Sequence, residues 1–513
     1  MLKNSSKKIV GLKTLECLRQ KNHNSKVVHC HGVFDVLHIG HLTYFQSAKK
    51  FGDLVVVTIT ADEFVNKGPG RPYFTSYVRA QMVAALELVD YVAINQFETA
   101  VPAIEIIKPH FYIKGPDYKD KSTDITGAIY KEELAVQKNG GKLVFSNDEV
   151  FSSSHLINKF FNPLTEAQQH AIDQVKQAGG LEKIMEVLKQ IEKERVIVIG
   201  EPIVDTYRFC LPESISSKSP SISAHFLYEE NYAGGSLAVA NHFCDFVSHV
   251  DLLMTHGDEP YFKDVLDSKL DQRVNVFELK LANIPTPRKI RYIVQEKSQR
   301  IFEITDLRYD QWLQHSPDIF CNLIKDHAHK EKIKIIADFG HGLFETHVTQ
   351  QVSSLEGFVA CNVQTNSSNF VYNPITKYNK FSYLSADTKE MRVAYHDRLT
   401  APLDLAVRFK NDLKASNKNS CFAMTLGPNG SCYFPVNSDE NFFAPAFADH
   451  IVDATGAGDA YFLLTSLLVK ADCPSIMIPF LGNVFAGLKT KILGNKSFVR
   501  KSQFVKALTS LLK

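Results

Sequence analysis

The sequence lacks a charge excess of either sign. Lysine and arginine together number 58, aspartate and glutamate 56, and the formal net charge of the 513 residues is +2. Proteins dedicated to nucleic acids or to membrane surfaces normally carry a clear basic excess. The balance therefore argues against both classes of partner, while leaving room for a local group of basic residues around a phosphate.

Long apolar runs and paired cysteines are missing as well. No stretch is apolar over the length that a bilayer requires, and the basic first ten residues lead into no apolar segment. The nine cysteines are scattered without a CxxC pair, which favours reduced thiols over disulfides or a zinc site. We therefore expect a cytoplasmic protein without a signal peptide.

What the sequence does contain is material for two α/β domains. Its length exceeds what one compact core usually holds, and 44% hydrophobic residues are typical of a globular protein. Two β-branched runs end in glycine and an acidic residue, KVVHCHGVFD at 26–35 and RVIVIGEPIVD at 195–205. A polar segment with helical spacing separates them. We predict domains at 1–162 and 194–513, joined by a helical linker at 163–193.

Each domain is expected to hold a mostly parallel sheet flanked by helices, because strand-like runs alternate with helical stretches. The predicted strands that follow the two opening runs are 54–59, 91–95, 111–115 and 142–146 in the first domain and 334–340, 357–362, 381–385 and 421–427 in the second.

The first chemical signal is HGVFDVLHIGH at residues 31–41, where a strand gives way to a helix. His38 and His41 are three residues apart at the helix start and so face the same side. Backbone N–H groups and the positive end of the helix dipole point there too, and Gly40 lets a phosphate approach the backbone. Nucleotidyl transfer requires such a site, because its task is to stabilise developing negative charge. Two alternatives are a chance pair of surface histidines and half of a metal site. A metal site would need further His, Asp or Cys residues at ligand spacing, and the sequence shows no obvious set.

The first 160 residues resemble the cytidylyltransferase-like family, in particular the adenylyltransferase half of bifunctional heptose-phosphate enzymes. The matching segments, in family order, are GVFDVLHIGH (32–41), AKKFGD (48–53), TADEFVNKGPGRP (60–72), YIKGPDY (112–118) and FSSSHLIN (151–158). The resemblance implies that His38 and His41 bind the triphosphate and stabilise its transition state, with Lys114 as a further catalytic phosphate contact.

The same resemblance implies additional nucleotide- and phosphate-binding residues, which are Gly32, Phe34, Gly40, Lys67, Arg71, Ser152, Ser153 and Ser154. The three serines also suit the N-cap of a helix, and both roles are compatible. Asp35 either binds the sugar phosphate or braces the loop.

A second signal is DATGAGDAYF at residues 453–462. Gly456, Ala457 and Gly458 precede a helical run and offer unobstructed N–H groups at its positive end, which suits a transferring γ-phosphate. Asp459 follows directly and is placed to take the proton from an attacking sugar hydroxyl. On its own, the pattern also fits an ordinary tight turn between a strand and a helix.

Residues 195–513 resemble the ribokinase-like sugar kinases over nearly their whole length. The matching segments are VIGEPIVDTY (198–207), YAGGSLAVANHF (232–243), TPRKIRYI (286–293), ADFGHG (337–342) and TLGPNGSCYF (425–434). The resemblance implies that Asp459 is the catalytic base. It also implies a sugar site and further nucleotide contacts, formed respectively by Asp205, Gly234, Gly235 and Lys289, and by Gly427 and Asn483.

Three positions depart from the kinase pattern. Ala238 replaces a usual asparagine, and His341 stands where heptose kinases carry a basic residue. The N-x-x-E segment that organises Mg²⁺ reads Asp387-Thr388-Lys389-Glu390. Because Mg²⁺ prefers oxygen ligands, Asp387 and Glu390 remain the expected metal ligands. These changes leave the identity of the sugar open.

The two resemblances together imply a small Rossmann-like nucleotidyltransferase followed by a larger ribokinase-like α/β/α sandwich. The order is the reverse of that in the heptose enzymes, which marks a sister branch. We expect ATP-dependent phosphorylation of a sugar or sugar phosphate at C1, then transfer from ATP or CTP to give a nucleotide sugar, both with Mg²⁺. The expected partners are small molecules and a second copy of the chain, with no nucleic acid or membrane.

Two other interpretations stay open. In one, the nucleotidyltransferase is active and the kinase-like half only binds or senses a ligand, as Ala238 and the altered N-x-x-E would suggest. In the other, both halves serve as a scaffold in polysaccharide assembly. The intact Asp459 argues for the bifunctional enzyme.

Overall fold

The computed structural model describes residues 6–17, 24–65, 71–115, 128–146, 164–215, 222–295, 299–308, 317–330, 332–416, 420–435, 437–448 and 451–512. The chain divides into two compact units, one of residues 1–165 with 502–513 and one of residues 166–501. Within the described ranges, no helix has the length and apolar character needed to cross a membrane. Lys67 and the serines at 152–154 lie outside the described residues.

The first unit contains one parallel sheet. Over the described residues its strand order is β3-β2-β1-β4-β5, and every neighbouring pair runs parallel. The strands are β1 Val27–Gly32, β2 Leu54–Thr60, β3 Tyr91–Asn95, β4 Phe111–Lys114 and β5 Lys142–Phe145. The helices are α1 Leu12–Glu16, α2 Ile39–Lys49, α3 Ser76–Ala84, α4 Val101–Ile107 and α5 Ala128–Lys138, with short 3₁₀ turns at Ser6–Lys8 and Asp62–Phe64. The last helix of the chain, Lys501–Leu512, is grouped with this unit from residue 502 onward.

The central strands β1 and β2 are buried on both faces. Consecutive valines at 27–28 and 55–57 are all fully buried, which is the pattern of a parallel strand covered by helices on each side. From β1 the order runs to β2 and β3 in one direction and to β4 and β5 in the other. The carboxyl ends of β1 and β4 therefore flank a topological switch point, where open α/β sheets bind their ligands.

The second unit contains two sheets over its described residues. A larger one has the order β10-β9-β6-β13-β14-β15-β16-β17-β18 and is parallel from β10 to β16; a smaller one has the order β12-β11-β7-β8. Its strands are β6 Arg195–Gly200, β7 Pro202–Ile215, β8 Ile222–Gly235, β9 His249–His256, β10 Val274–Lys280, β11 Arg288–Val294, β12 Gln299–Asp306, β13 Ile333–Asp338, β14 Val359–Val363, β15 Tyr383–Asp387, β16 Cys421–Thr425, β17 Ser431–Phe434 and β18 Phe442–Ala444.

The helices of the second unit are α6 Glu166–Gln177, α7 Gly180–Ile191, α8 Ser236–Phe243, α9 Pro260–Lys269, α10 Pro317–His327, α11 Thr346–Ser353, α12 Thr388–Tyr395, α13 Pro402–Ala415, α14 Ala457–Lys470 and α15 Met477–Lys489, with 3₁₀ turns at Ile375–Lys377 and Gly427–Asn429. The segment predicted as a linker forms α6 and α7. Ile184, Val187, Leu188 and Ile191 recur at helical spacing and are buried, so α7 packs as part of this unit.

A switch point also lies beside β6 in the larger sheet, whose order runs from β6 to β9 and β10 on one side and to β13 on the other. Glu201, just after β6, ties the two strand ends together. Its carboxylate accepts N–H groups from Phe339, His341 and Leu343 at 2.8, 2.9 and 2.9 Å. Burial, with a contribution from Asp338, raises the pKa of Glu201 to about 7. The sheet edge is thus built around a buried acidic group.

In the first unit, Arg79 of α3 has the corresponding role. It is fully buried, and its Nη1 donates to the carbonyl of Val33 at 2.5 Å. Its Nε donates to the carbonyl of Phe74 at 2.9 Å. Its Nη2 donates to the carbonyl of Thr60 at 2.8 Å and to Asp62 Oδ1 at 2.6 Å. One guanidinium therefore fixes the loops that follow β1 and β2 and the turn that precedes α3.

We predict that Arg79→Met lowers the free energy of unfolding of the first unit by about 3 to 5 kcal/mol, because one buried and two partly buried carbonyls lose their charged donor. Hydrogen exchange followed by mass spectrometry measures this, since peptides from each unit report separately. Asp62→Asn is the matched control: it removes the charged partner, whose side chain is 41% exposed, and should cost about 1 kcal/mol or less. Equal losses in the two variants would contradict the carbonyl-clamp role.

Candidate active sites

The loop between β1 and α2 has an unusual backbone. Phe34 and Val36 both adopt left-handed conformations, with φ of 50° and 49°. A β-branched residue such as valine is strongly disfavoured there, at a cost of about 1–3 kcal/mol. Asp35 between them supplies a reason: its carboxylate accepts the N–H groups of Tyr73 at 2.7 Å and Phe74 at 3.1 Å. Two roles were predicted for Asp35, and these contacts correspond to the one in which it braces the loop.

His38 and His41 meet at the start of α2, as their spacing predicts. Their rings are stacked with centroids 4.0 Å apart. The Nδ1 of His38 accepts the N–H of Gly40 at 3.1 Å, and the Nδ1 of His41 accepts the N–H of His38 at 3.4 Å. Because both Nδ1 atoms are acceptors, each neutral ring carries its proton on Nε2. Burial lowers the pKa of His38 below its ordinary value, and this favours the neutral ring with its proton on Nε2.

The other described residues predicted for the first site lie around this loop. Gly32 closes β1, and a Cβ there would come within 3.1 Å of the Phe34 ring. Arg71 is buried near the carboxylate of Asp35, and burial lowers its pKa. The predicted residues Gly32, Phe34, Asp35, His38, Gly40, His41 and Arg71 therefore share one edge of the sheet.

Lys114 closes the neighbouring strand β4. Its Nζ lies 2.8 Å from Glu132 Oε2, and both side chains are nearly buried. Burial lowers the pKa of His29 on β1 to about 3, and the charge of Lys114 adds to this lowering. His29 is held to Thr58 by a 2.8 Å hydrogen bond and belongs to the strand interior. Lys114 thus places a positive charge at the switch point, and its ion pair with Glu132 fixes that charge in position.

In the second unit, Asp459 lies in the first turn of α14 behind the N-cap Gly456, whose φ is 76°. Its Oδ1 accepts the amide of Asn362 at 2.9 Å and that of Gln364 at 2.5 Å. Burial raises the pKa of Asp459 to about 6, against the lowering effects of Lys489 and Asn362. The sequence pattern did not reveal Asn362 and Gln364, because they lie in and just after β14, far from the glycine motif.

The predicted sugar residues form a charged cluster near this aspartate. Strand pairing sets Lys289 of β11 beside Asp205 of β7. Burial lowers the pKa of Lys289, opposed by Asp205 and more weakly by Asp459. Asp205 also forms a buried ion pair with Arg291 and accepts the amide of Asn495 at 2.6 Å. The sequence identified Asp205 and Lys289, whereas Arg291 and Asn495 emerge from the packing.

Gly234 and Gly235 end β8, where they pair with Ile203 and Pro202 of β7. A Cβ at Gly234 would come within 2.6 Å of Asp205 Oδ2, and Gly235 has a φ of 56°. Both positions therefore require glycine. His341 is almost fully buried nearby, and neither ring nitrogen has a hydrogen-bond partner among the described residues. Burial and the charge of Lys289 lower its pKa to about 3.

The predicted metal ligands are engaged in a capping box. Asp387 Oδ1 accepts the N–H of Glu390 at 2.7 Å, and Glu390 Oε2 accepts that of Asp387 at 2.7 Å. Burial, then Asp387 and more weakly Asp459, raise the pKa of Glu390 well above its ordinary value. A divalent cation would relieve this mutual repulsion of carboxylates, so the residues fit a hydrated Mg²⁺. Among the described residues, no group of three His, Cys, Asp or Glu side chains is arranged to hold a metal ion.

Two predicted nucleotide contacts lie on neighbouring elements. Gly427, with a φ of 59°, begins the 3₁₀ turn after β16. Asn483 of α15 donates its amide to the carbonyls of Ala444 at 2.8 Å and Pro445 at 3.0 Å. Its described role is thus to anchor the end of β18, and the adenine contact remains a prediction.

Comparison with known proteins relates the first unit to one family. Residues 29–160 match the family model described as cytidylyltransferase-like. The bifunctional protein HldE of Aliarcobacter butzleri is 40% identical over 139 residues, 26% of this chain and 29% of the relative. HldE of Sulfurimonas denitrificans is 41% identical over 130 residues, 25% of this chain and 27% of the relative. The chain therefore matches less than a third of the length of these curated relatives.

The second unit has a counterpart among solved structures. Phosphofructokinase-2 from Escherichia coli, in complex with substrates and products, has a TM-score of 0.50 and 14% sequence identity, and the alignment covers 62% of this chain and 100% of that one. A match over 62% of the chain is longer than the first unit and so extends into the second. Residues 29–160 therefore form a cytidylyltransferase-like domain, and the chain joins this domain to a unit with the fold of phosphofructokinase-2.

Proposed function

We propose that the protein is a bifunctional sugar-activating enzyme. Its second unit phosphorylates a sugar or sugar phosphate at C1 with ATP, and its first unit transfers a nucleotidyl group from ATP or CTP to that product with release of pyrophosphate. The observation that carries the proposal is the presence, in one chain, of a stacked histidine pair and of a carboxylate behind a glycine N-cap, each at the start of a helix. The relatives of the first unit, which are named as bifunctional proteins, support the pairing.

In the first site, we assign to the protein residues the supply of hydrogen-bond donors to a phosphate, while the sugar phosphate is itself the nucleophile. The Nε2–H groups of His38 and His41 and the N–H groups at the start of α2 stabilise the charge that develops on the α-phosphate. A phosphate oxygen of the sugar phosphate attacks the α-phosphorus, and the bond to pyrophosphate breaks. Lys114 and Arg71 add positive charge, and we assign Lys67 and the serines at 152–154 to the β- and γ-phosphates.

In the second site, Asp459 acts as the general base. Its carboxylate takes the proton from the C1 hydroxyl, the oxygen bonds to the γ-phosphorus, and ADP leaves. We assign the transferring phosphate to the N–H groups of Gly456 and Gly458 at the positive end of α14. The N–H of Ala457, predicted to share this role, instead donates to the carbonyl of Ala454 at 3.2 Å. We assign the sugar to Asp205, Gly234, Gly235 and Lys289, and the adenine surroundings to Gly427 and Asn483.

Mg²⁺ would be held, through water, by Asp387 and Glu390. When bound, it neutralises phosphate charge, as it does in phosphoryl transfer generally. The carboxylates themselves hold the start of α12 in place through their capping box.

The two steps follow one another chemically. Phosphorylation at C1 creates the anomeric phosphate that a nucleotidyltransferase consumes, so one chain would carry a free sugar or sugar phosphate to its activated form. An unreactive, ligand-sensing second unit would have no need to hold Asp459 with two amides at the start of α14. These contacts favour the active kinase over the sensing alternative.

We predict that the two activities separate by mutation. His41→Ala should lower pyrophosphate release by about 100- to 1,000-fold while leaving sugar-dependent ADP formation intact. Asp459→Ala should lower ADP formation by about 100- to 10,000-fold while leaving nucleotidyl transfer to a supplied sugar 1-phosphate intact. The assays are run on the full chain with a panel of heptoses, hexoses and their phosphates, and the products are identified by mass.

Each variant is the other's control, because each must retain one activity. If the parent protein forms no sugar-dependent ADP with any member of the panel, the kinase assignment is refuted. Undiminished pyrophosphate release from both His38→Ala and His41→Ala would refute the nucleotidyltransferase assignment.

We predict an acidic limb in the pH profile of the kinase step at about pH 6, since Asp459 must be ionised to accept a proton. The amide of Asn362 stabilises the ionised form, so Asn362→Ala should raise the pKa of Asp459 and move the limb to higher pH. The measurement is kcat for ADP formation from pH 5 to 9. Because ATP itself titrates in this range, the shift between variants is the readout.

Asn275→Ala serves as the matched control, since the amide of Asn275 donates to Asp251 in the same unit. Its limb should coincide with that of the parent. Coincident limbs for Asn362→Ala and the parent would show that Asp459 is not the group that titrates.

A further inference from the structure

His341, in the loop after β13, is a buried polar side chain to which none of the roles above applies. It is 1% exposed, and neither of its ring nitrogens has a hydrogen-bond partner among the described residues. Three other histidines of the described ranges are also buried, and each has one ring nitrogen in a hydrogen bond; these are His29, His242 and His256. The two unpaired nitrogens of His341 therefore need an explanation.

The hydroxyl of Ser236 is a second unpaired group at the same edge of the larger sheet. Ser236 opens α8, has no exposed surface, and its Oγ has no hydrogen-bond partner among the described residues. Burial removes the hydrogen bonds of such atoms to water, and native structures nearly always replace those bonds. Three atoms without a replacement, two on His341 and one on Ser236, indicate that a ligand completes their hydrogen bonds.

Glu201 fixes the main chain at both residues. Its Oε1 accepts the N–H of His341 at 2.9 Å, and its backbone carbonyl accepts the N–H of Ser236 at 2.9 Å. A Cβ at the preceding residue, Gly200, would lie 2.9 Å from the Cβ of Ser236 and 2.7 Å from the carbonyl oxygen of Ala337 in β13. Both side chains therefore start from one closely packed frame at the switch point beside β6.

The surroundings keep the imidazole of His341 uncharged. Burial, and then the charge of Lys289, lower its pKa to about 3. Lys289 is paired with Asp205 across the small sheet, and its charge also acts on Asp459. The ring thus belongs to the same cluster as the proposed sugar aspartate and the proposed general base. A neutral imidazole offers one N–H donor and one acceptor nitrogen, and a serine hydroxyl both donates and accepts.

Sugar hydroxyls match this set of donors and acceptors, because each hydroxyl also donates one hydrogen bond and accepts others. A phosphate dianion only accepts hydrogen bonds. It would leave the acceptor nitrogen of His341 unpaired, and it would find no positive charge on either His341 or Ser236. The three unpaired atoms therefore favour an uncharged part of a sugar that carries hydroxyls on neighbouring carbons.

We propose that His341 and Ser236 determine the sugar specificity of the kinase step by binding two neighbouring hydroxyl groups of the substrate, at a position that accepts no phosphate. The inference rests on the proposed kinase function and narrows its substrate to a sugar whose hydroxyls are free at this position. Both side chains are covered in the ligand-free chain, so neighbouring side chains move aside when the sugar enters.

The first test compares the best sugar of the panel with its monodeoxy analogues. The parent kcat/KM for ADP formation should fall about 10- to 100-fold when one of the two hydroxyls is removed. His341→Phe keeps a ring and removes both nitrogens, so it should lower kcat/KM for the intact sugar by a similar factor, mainly through KM. For the matching deoxy analogue the same substitution should change kcat/KM by less than about threefold, a coupling that general weakening of the fold would not produce.

His242→Phe is the matched control, because His242 is another buried histidine of this unit and its Nδ1 bonds to the carbonyl of Ala238. It should leave the ratio of kcat/KM between the intact sugar and every deoxy analogue unchanged. Ser236→Ala is a smaller change that keeps the backbone contact with Glu201, and it should remove discrimination at the neighbouring hydroxyl. It decides the question if His341→Phe does not fold. Parent-like ratios for all analogues in both variants would show the inference to be wrong.

Sugar phosphates test the alternative ligand. If His341→Phe lowers kcat/KM about tenfold or more for a sugar phosphate and leaves discrimination between hydroxyl and deoxy sugars intact, the ring binds a phosphate and the inference is overturned.

Binding calorimetry separates the inference from the proposed function. If the parent forms no ADP with any sugar, the proposed function fails, and the affinities of the full chain for the same sugars decide the inference. An affinity that falls on deoxygenation in the parent, and no longer does so in His341→Phe, supports the hydroxyl site. Equal affinities for intact and deoxy sugars, or no binding of any sugar, would overturn it.

Discussion

The convergence of backbone N–H groups at the start of a helix is the constraint on which both units depend. A helix leaves its first N–H groups without partners, and their dipoles add to a partial positive charge. In the first unit, His38 caps α2 through Gly40, and in the second unit Gly456 precedes α14. A parallel sheet brings such helix starts to the carboxyl edge of its strands, so an edge with partial positive charge follows from the topology itself.

Holding that edge in place requires buried charge. Arg79 in the first unit and Glu201 in the second each bind three loop groups from a single buried position. An apolar core could not perform this task, because loop carbonyls and N–H groups left in the interior without partners would cost more than they contribute. Arg79 and Glu201 thus fix strand ends, while valine and isoleucine fill the central parallel strands β1, β2 and β6.

The strands and the two glycine-rich turns could be predicted from the sequence, because these depend on local pattern. The strand predicted at 91–95 coincides with β3, and that at 54–59 differs from β2 by one residue. The stacked pair of His38 and His41 follows from helical spacing. The two-domain α/β architecture agrees with the cytidylyltransferase-like match and with the phosphofructokinase-2 fold.

Partners that are distant in sequence escaped prediction. Asn362 and Gln364 reach Asp459 across almost one hundred residues, and Arg291 reaches Asp205 across 86. Local pattern identifies the group that performs the chemistry, whereas tertiary packing selects the groups that position it.

If Asp205 binds the sugar as we propose, its pairing has a consequence for which sugar is selected. One carboxylate oxygen is bound by Arg291 and the other by Asn495 before any ligand arrives. A hydroxyl that approaches this aspartate meets an acceptor whose direction is already set and whose charge is already shared. The aspartate would then contribute more to stereochemical selectivity than to affinity. Epimers that differ at one carbon would be distinguished by whether their hydroxyl can reach this carboxylate in the required direction.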